Sequence, residues 1–229
     1  MQDQIKTSKI TLPKYTKGEE IFNWIGHCVG AALSIAALVI CVVFAALSNE
    51  LRAWKVVSCA VYGATLIILY TMSTLYHALP PGRAKKALRI IDHCSVSLLI
   101  AGTYTPYTLV TLRDYSNGWG WTIFGIVWGA AILSMVLTSI NLKKYEKINL
   151  ICYLIMGWCI VIAIVPLFKS NLQSGGFLLL LLGGVLYTLG AVIYILGKKL
   201  KLKYMHAIWH LFVLGGSILQ FFSILFYVI

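Results

Sequence analysis

Residues 115–142 read YSNGWGWTIFGIVWGAAILSMVLTSINL, a stretch of 28 residues without a charged side chain. Residues 56–82 form a second uncharged stretch of similar length. A helix needs about 20 apolar residues to cross the hydrocarbon core of a bilayer. Both stretches exceed that length, so they predict membrane-spanning helices and determine the fold class.

The composition of all 229 residues agrees with a membrane protein. Hydrophobic residues make up 60% of the chain and charged residues 11%, whereas a soluble domain carries about 25% charged residues. This excludes a disordered, fibrous, coiled-coil or disulfide-scaffold protein and argues against a water-soluble enzyme. The six cysteines lie within apolar stretches without a CxxC pair, which predicts small buried side chains.

The chain divides into seven apolar segments separated by short breaks that carry turn signals. Each segment is long enough to span a membrane as a helix, and none shows the ten-residue alternation of a transmembrane barrel. We therefore predict an all-α, seven-helix bundle over residues 21–229 after a polar cytoplasmic tail at 1–20. The segments are Ile21–Leu47, Trp54–Leu79, Ile90–Leu112, Trp119–Leu142, Ile148–Phe168, Gly175–Gly197 and Tyr204–Ile229.

Two details within the segments bear on their packing. Pro106 and Pro166 lie inside the third and fifth segments, where they predict kinks that a membrane bundle tolerates. Glycines recur every seven residues along the sixth segment, which predicts close contact with a neighbouring helix. They are Gly176, Gly183, Gly190 and Gly197.

Orientation follows from the basic residues. Fifteen of the nineteen lie in the tail and in the second, fourth and sixth breaks, which predicts a cytoplasmic N-terminus and an external C-terminus. The first segment is too long for a signal-peptide core, so it predicts a true first span. The net charge of +12 is thus a topology signal that also suits anionic lipid headgroups. It does not indicate nucleic-acid binding.

All five histidines, together with Asp92, fall within the apolar segments on the predicted cytoplasmic side. Ionisable groups inside spans are costly, and they usually face the bundle interior or a cavity. These side chains therefore predict one shared polar cavity. The histidines are His27, His77, His93, His206 and His210.

The spacing of His206 and His210 places both rings on one helix face, as two ligands of a tetrahedral zinc require. His77 could supply a third ligand. Three protein ligands and a water form the open, catalytic type of zinc site. Asp92 could bind or orient that water, and Ser73 shares a helix face with His77. The alternative is that the histidines only hydrogen-bond between helices.

Four further residues are candidates to support the predicted zinc site from outside. Asp92 and His93 are adjacent and about 100° apart on a helix, so we assign Asp92 to the site and His93 to packing or an outer hydrogen bond. Glu20, Asn23 and His27 share one stripe of the first segment. This stripe predicts either a polar packing face or an outer support and cytoplasmic entrance of the site.

Four stretches together resemble the hemolysin III family, whose bacterial members are related to the progestin and adipoQ receptors and to alkaline ceramidases. The resemblance extends from about Glu19 to the end of the chain, and Gly26 departs from it where a small hydroxyl residue is expected. The stretches are GEEIFNWIGHCVG (18–30), STLYHALP (73–80), RIIDHCSVSLLIAGTYTPY (89–107) and MHAIWHLFVLGGS (205–217).

The resemblance implies a seven-helix bundle with an inward N-terminus in the bacterial plasma membrane. It also implies a zinc ion held by His77, His206 and His210, with Asp92 and Ser73 as the associated acid and serine.

Several functions are compatible with these residues. The first is a zinc-dependent hydrolase of membrane lipid amides that acts in membrane homeostasis, with lipid as the partner. The second is a receptor-like sensor of membrane state with a structural zinc. The third is a cytolysin, as the family name suggests, although the outer halves of the segments lack a continuous polar stripe. The fourth is a light- or ligand-driven pump or receptor, of which the absence of lysine from the seventh segment excludes the retinal-bound version. The sequence does not specify an oligomeric state.

Overall fold

The structure is a computed structural model that describes residues 11–229. Within that range the chain is helical and has no strand, so the prediction of an all-α protein is confirmed. The six long helices are α1 (Lys17–Leu47), α2 (Arg52–Ala78), α3 (Arg83–Pro106), α4 (Asn117–Trp158), α5 (Ser174–Leu200) and α6 (Met205–Tyr227). The shorter pieces are a π-helix at Tyr107–Leu112, single turns at Arg113–Tyr115 and Cys159–Ala163, and a helix at Ile164–Lys169.

Five helical stretches within residues 11–229 are long and apolar enough to cross a membrane: α1, α2, α5, α6 and the combined stretch Asn117–Lys169. Helix α3 does not qualify by composition, because five of its first ten residues are charged. The predicted count of seven is not confirmed. The fourth and fifth predicted segments belong to one helical stretch, and the polar break predicted at residues 143–147 is helical.

The chain nevertheless reverses direction at Asn141 within α4. This residue has non-helical dihedral angles (φ −159°, ψ 91°), and its Oδ1 accepts a hydrogen bond of 3.0 Å from the backbone amide of Lys144, as an N-cap does. Buried Asn149 donates a 2.7 Å hydrogen bond to Oγ1 of Thr138. These two residues would be about 16 Å apart along a straight helix, so the two pieces of α4 run side by side in opposite directions.

Both prolines coincide with a change of helix type. After Pro106 the α-helix gives way to the buried π-helix Tyr107–Leu112. Pro166 lies in the short helix Ile164–Lys169, which follows a 3₁₀ turn. A proline ring removes a backbone donor and crowds the preceding turn, which is consistent with the 3₁₀ turn that precedes Pro166.

Glycines allow the helices to approach closely. A Cβ atom on Gly197 of α5 would lie 2.2 Å from Cβ of Met205, and one on Gly183 would lie 2.8 Å from Cγ of Gln220. Gly176 and Gly190 also face α6, so the glycine stripe serves packing as predicted. Helices α1, α2 and α3 pack in chain order, α3 packs on α4, and α6 contacts α1. Helix α5 rests closely on α6 and only lightly on α4.

Candidate metal centre

The starts of α1 and α6 are joined by Glu19. Its Oε2 accepts hydrogen bonds of 2.8 Å from the backbone amide and the hydroxyl of Thr16, which caps α1 in a capping box. Its Oε1 accepts a 2.8 Å hydrogen bond from the backbone amide of Tyr204, the residue that precedes α6. The start of α6 is thereby placed beside α1.

Three histidines converge next to this junction. His77 lies near the end of α2, and His206 and His210 lie in the first turns of α6. One side-chain nitrogen from each lies within 4.8 Å of those of the other two. Nε2 of His206 is 3.3 Å from Nε2 of His77, and the ring centroids of His206 and His210 are 4.3 Å apart. The structure thus brings the three predicted ligands into one cluster, which we call the histidine cluster.

Residues of α1 and α3 hold the ring of His77. Its Nδ1 lies 2.6 Å from Oε2 of Glu20 and 3.3 Å from Nδ2 of Asn23. Lys85 of α3 donates a 2.6 Å hydrogen bond to the other oxygen of Glu20. It also donates to the backbone carbonyl oxygens of His77 and Leu79. A carboxylate at Nδ1 favours the tautomer with hydrogen on Nδ1, so the lone pair of Nε2 points into the cluster.

His27 is a fourth imidazole beside the cluster. Its ring centroid lies 3.9 Å from that of His210 and 5.1 Å from that of Tyr70. The His27 ring is buried, and neither of its nitrogens has a hydrogen-bond partner among residues 11–229. Of the predicted stripe on α1, Glu20 and Asn23 therefore contact His77, whereas His27 contacts His210.

Asp92 and Ser73 lie near the cluster but do not belong to it. Both line a cavity that His27, His206 and His210 also line. Within the part of the chain that the structure describes, the ligand atoms that lie within 4.8 Å of one another belong to the three histidines and do not include a carboxylate oxygen of Asp92. Its Oδ2 lies 3.6 Å from Nδ1 of His93, and that nitrogen is 2.9 Å from the backbone carbonyl oxygen of Arg89. His93 thus contacts Asp92 from outside the cluster.

The cavity has a volume of about 830 Å³ and is lined mainly by apolar side chains. Along α3 and the π-helix it extends from Asp92 to Tyr107, which corresponds to about 22 Å of helix. Its lining includes Val161, Phe168 and Leu181, whose side chains are also exposed on the outside of the bundle. The cavity therefore opens toward the apolar surroundings where α5 rests only lightly on α4.

Sequence reasoning missed several residues around the cluster. The ring of Tyr194 on α5 lies 5.6 Å from that of His206, and its hydroxyl donates a 3.4 Å hydrogen bond to Oε1 of Glu146. Lys198 forms an ion pair with the same carboxylate. Glu146 is the one acid of the fourth predicted break, a signal that could have drawn attention to it. Tyr15 of the tail stacks on His206, with ring centroids 5.2 Å apart and planes 16° apart.

The chain is similar in sequence to several known proteins. The chain is 44% identical over 223 residues to "Hemolysin-3" of Bacillus cereus, covering 97% of this chain and 98% of that protein. It is 43% identical to "Hemolysin-3 homolog" of Bacillus subtilis (strain 168), covering 93% and 96%. A more distant similarity, at 26% identity over 75% of this chain and 70% of the other, is to "Monocyte to macrophage differentiation factor" of Homo sapiens.

The family described as "Haemolysin-III related" matches residues 15–221, which include every residue of the histidine cluster and its supports. With the apolar helices, this match identifies a multi-pass protein of the cell membrane. The chain belongs to the Haemolysin-III related family.

Proposed function

We propose that this protein is a zinc-dependent hydrolase of membrane lipid amides, with zinc held by His77, His206 and His210. The observation that carries the proposal is the position of the histidine cluster at the polar end of a long apolar cavity, with Asp92 and Ser73 on the cavity wall. A lipid chain suits the apolar part, and a carbonyl group at its end would lie near the histidines.

The spacing of the imidazole nitrogens fits a zinc ion. Two nitrogens at about 2.0–2.1 Å from a tetrahedral zinc are about 3.3 Å apart, and Nε2 of His77 and Nε2 of His206 are separated by 3.3 Å. The carboxylate of Glu20 at Nδ1 of His77 is the outer partner that metal-binding histidines usually have. A hydrogen bond between two rings would explain one short contact but not the convergence of three.

The proposal includes seven membrane spans with the histidine cluster on the cytoplasmic side. The reversal at Asn141 supports two separate spans within the stretch Asn117–Lys169. Helix α3 would be a further span, whose charged first turns lie at the cytoplasmic surface and whose later turns are buried. The predominance of lysine and arginine near the cluster end supports a cytoplasmic N-terminus.

Bound zinc would act as a Lewis acid on the substrate carbonyl and would activate a water. Asp92 accepts a proton from the attacking water as a new C–O bond forms, and it passes that proton to the amine as the C–N bond breaks. One water is consumed, and a fatty acid and an amine are released. Ser73, one helical turn before His77, donates a hydrogen bond to the water or to the developing oxyanion.

The shape of the cavity supports a lipid as the substrate. An apolar channel about 22 Å long, open beside α5 to the bilayer, accepts a lipid acyl chain from the membrane. The distant relation of the hemolysin III family to alkaline ceramidases suggests a ceramide-like amide as the first substrate to test. Lys147 and Lys199 also line the cavity, and their positive charge would attract the carboxylate product.

The proposal is tested by metal analysis of the purified protein. We expect about one zinc per chain with nitrogen ligands only, lost in His206→Ala and in His210→Ala. The matched controls are Cys28→Ala and Cys94→Ala, which remove the cysteines next to His27 and His93 in sequence and should retain zinc. A sulfur shell in X-ray absorption would overturn the ligand assignment.

Zinc-loaded protein is then incubated with ceramide, other lipid amides and lipid esters in detergent micelles. Release of fatty acid from an amide supports the hydrolase. Full zinc occupancy without cleavage of any of these lipids would overturn it in favour of a structural zinc that clamps α2 to α6. Zinc-independent lysis of erythrocytes by the purified protein would overturn the hydrolase in favour of the hemolysin activity that the names of its Bacillus relatives indicate.

A further inference from the structure

Residues 11–16, which we call the strap, connect three helices at the histidine end of the bundle. At one end of the strap, the backbone carbonyl oxygen of Thr11 accepts a hydrogen bond from the guanidinium of Arg89 on α3. At the other end, Thr16 caps α1 through Glu19. Between these anchors, Tyr15 contacts rings of α2 and α6. The strap therefore lies across the end of the histidine cluster.

The contact of Tyr15 with His206 is close and nearly parallel. The ring centroids are 5.2 Å apart with planes 16° apart, whereas the ring of His77 lies 5.9 Å away and is tilted by 52°. Tyr15 thus stacks on one imidazole and borders a second. On its other sides, His206 contacts Tyr194 and Trp209, with centroids 5.6 and 5.1 Å away.

Aromatic side chains pack around the ring of His206, whose Nε2 faces Nε2 of His77. Its Nδ1 is buried and has no hydrogen-bond partner among residues 11–229, in contrast to His77, whose Nδ1 is held by Glu20. A ring without a hydrogen-bonded outer partner is oriented by what packs against its faces. Tyr15 is the one of these three neighbours that comes from outside the helical bundle.

Both anchors of the strap are built into the bundle. Arg89 is buried, with 9% of its surface exposed, although it carries a full charge. It forms no ion pair with a carboxylate in the described chain, and its guanidinium donates a hydrogen bond to the backbone carbonyl oxygen of Thr11. Glu19 is buried as well and binds Thr16 and Tyr204 together. Because Arg89 and Glu19 both bind the strap from inside the bundle, the strap belongs to the fold.

We infer that Tyr15 is a positioning residue that orients the ring of His206 and closes the histidine cluster from the aqueous side. The cavity beside α5 is then the route by which a lipid reaches the site, and the strap must move for a water-soluble chelator or ion to pass. The inference rests on the proposed function only where it makes His206 a metal ligand. The closure itself requires no metal.

The closure is tested on metal-free protein by modification of His206 with diethyl pyrocarbonate, followed by mass spectrometry of the peptide. Tyr15→Ala should increase the modification rate about two- to tenfold, the factor that corresponds to loss of an aromatic pair. Tyr15→Phe keeps the ring and should react as the wild type does. Lys14→Ala, at the exposed neighbour in the strap, is the matched control and should also be unchanged.

The orienting role is tested by release of zinc to an added chelator and by the absorption spectrum of the cobalt-substituted protein. Tyr15→Ala should release metal about two- to tenfold faster and should change the spectrum, and Tyr15→Phe should restore both. Tyr15→Leu replaces the alanine variant if that variant unfolds.

These outcomes separate the inference from the proposed function. If the wild type binds no metal, the zinc proposal fails while the labelling experiment still decides the closure. If Tyr15→Ala and Tyr15→Leu leave the labelling rate of His206 unchanged, the strap does not close the cluster, whatever the metal content. If Tyr15→Phe behaves as Tyr15→Ala does, the hydroxyl group rather than the stacked ring is responsible, and the inference is overturned.

Discussion

Oε2 of Glu20 on α1 lies 2.6 Å from Nδ1 of His77 on α2, and the second oxygen of the same carboxylate binds Lys85 on α3. One side chain therefore connects three helices and determines which nitrogen of His77 faces the other two histidines. Glu20 is half-buried, so the contact is partly shielded from water. This relationship explains how a polar stripe at the start of α1 becomes part of the candidate metal centre.

Replacing Glu20 with glutamine should weaken zinc binding about 10- to 100-fold, the usual effect of removing an outer partner of a metal-binding histidine. The amide keeps the shape but carries no charge to fix the proton on Nδ1. Zinc affinity is measured by competition with a chelator. Glu50→Gln, at an exposed acid far along the sequence from the cluster, is the control. Equal affinity in Glu20→Gln and the wild type would contradict the role of this carboxylate.

Replacing Asp92 with asparagine should reduce lipid amide hydrolysis about 10²- to 10⁴-fold, because general acid–base groups contribute that much to rate. The zinc content and the melting temperature should remain close to those of the wild type, since Asp92 lies outside the histidine cluster. Asp114→Asn, in an exposed turn, is the matched control. Full hydrolysis by Asp92→Asn would require another proton carrier.

Replacing Gly102 with alanine should destabilise the protein by about 1–3 kcal/mol, because a Cβ atom there would lie 2.0 Å from Oγ1 of Thr65 on α2. Gly125→Ala is the control, since a Cβ atom at Gly125 meets nothing within 4 Å and alanine restricts the unfolded chain. Thermal unfolding in detergent compares the two variants. Equal stability would show that α2 and α3 do not approach as closely as the structure indicates.

Replacing Asn141 with alanine should cost about 1 kcal/mol, the typical effect of losing an N-cap. Asn141→Asp keeps an oxygen that can accept from the amide of Lys144, so it should retain most of the stability. Both values come from thermal or denaturant unfolding. If aspartate is no better than alanine, the side chain does not cap the second piece of α4.

The proposed orientation predicts the location of reporter fusions. Reporters in the loops before α3 and before α6 should be cytoplasmic, and one at the C-terminus should be external, because seven spans reverse the side of the two ends. Basic residues near the loops on one side motivate this expectation. A cytoplasmic C-terminal reporter would contradict the seven-span topology and would require an even number of spans.

The length and spacing of residues within single segments were sufficient to predict that this is a membrane protein and to predict part of the candidate metal centre. The length of the uncharged stretches predicts spanning helices, because a bilayer requires backbone hydrogen bonds to be satisfied within each segment. Helix geometry places His206 and His210 on one face, independently of how the helix packs in the bundle. The stripe of Glu20, Asn23 and His27 likewise follows from its spacing, and the glycine stripe from its seven-residue interval.

Only the tertiary structure decided which of these faces meet. Glu20 and His77 are 57 residues apart, and Tyr15 and His206 are farther apart still, so no local pattern records their contact. The reversal at Asn141 depends on a cap together with the buried bond between Asn149 and Thr138, and the sequence alone suggested a polar break a few residues later. The distances between helices depend on how side chains pack across the whole bundle. The spacing of residues within one segment does not determine that packing.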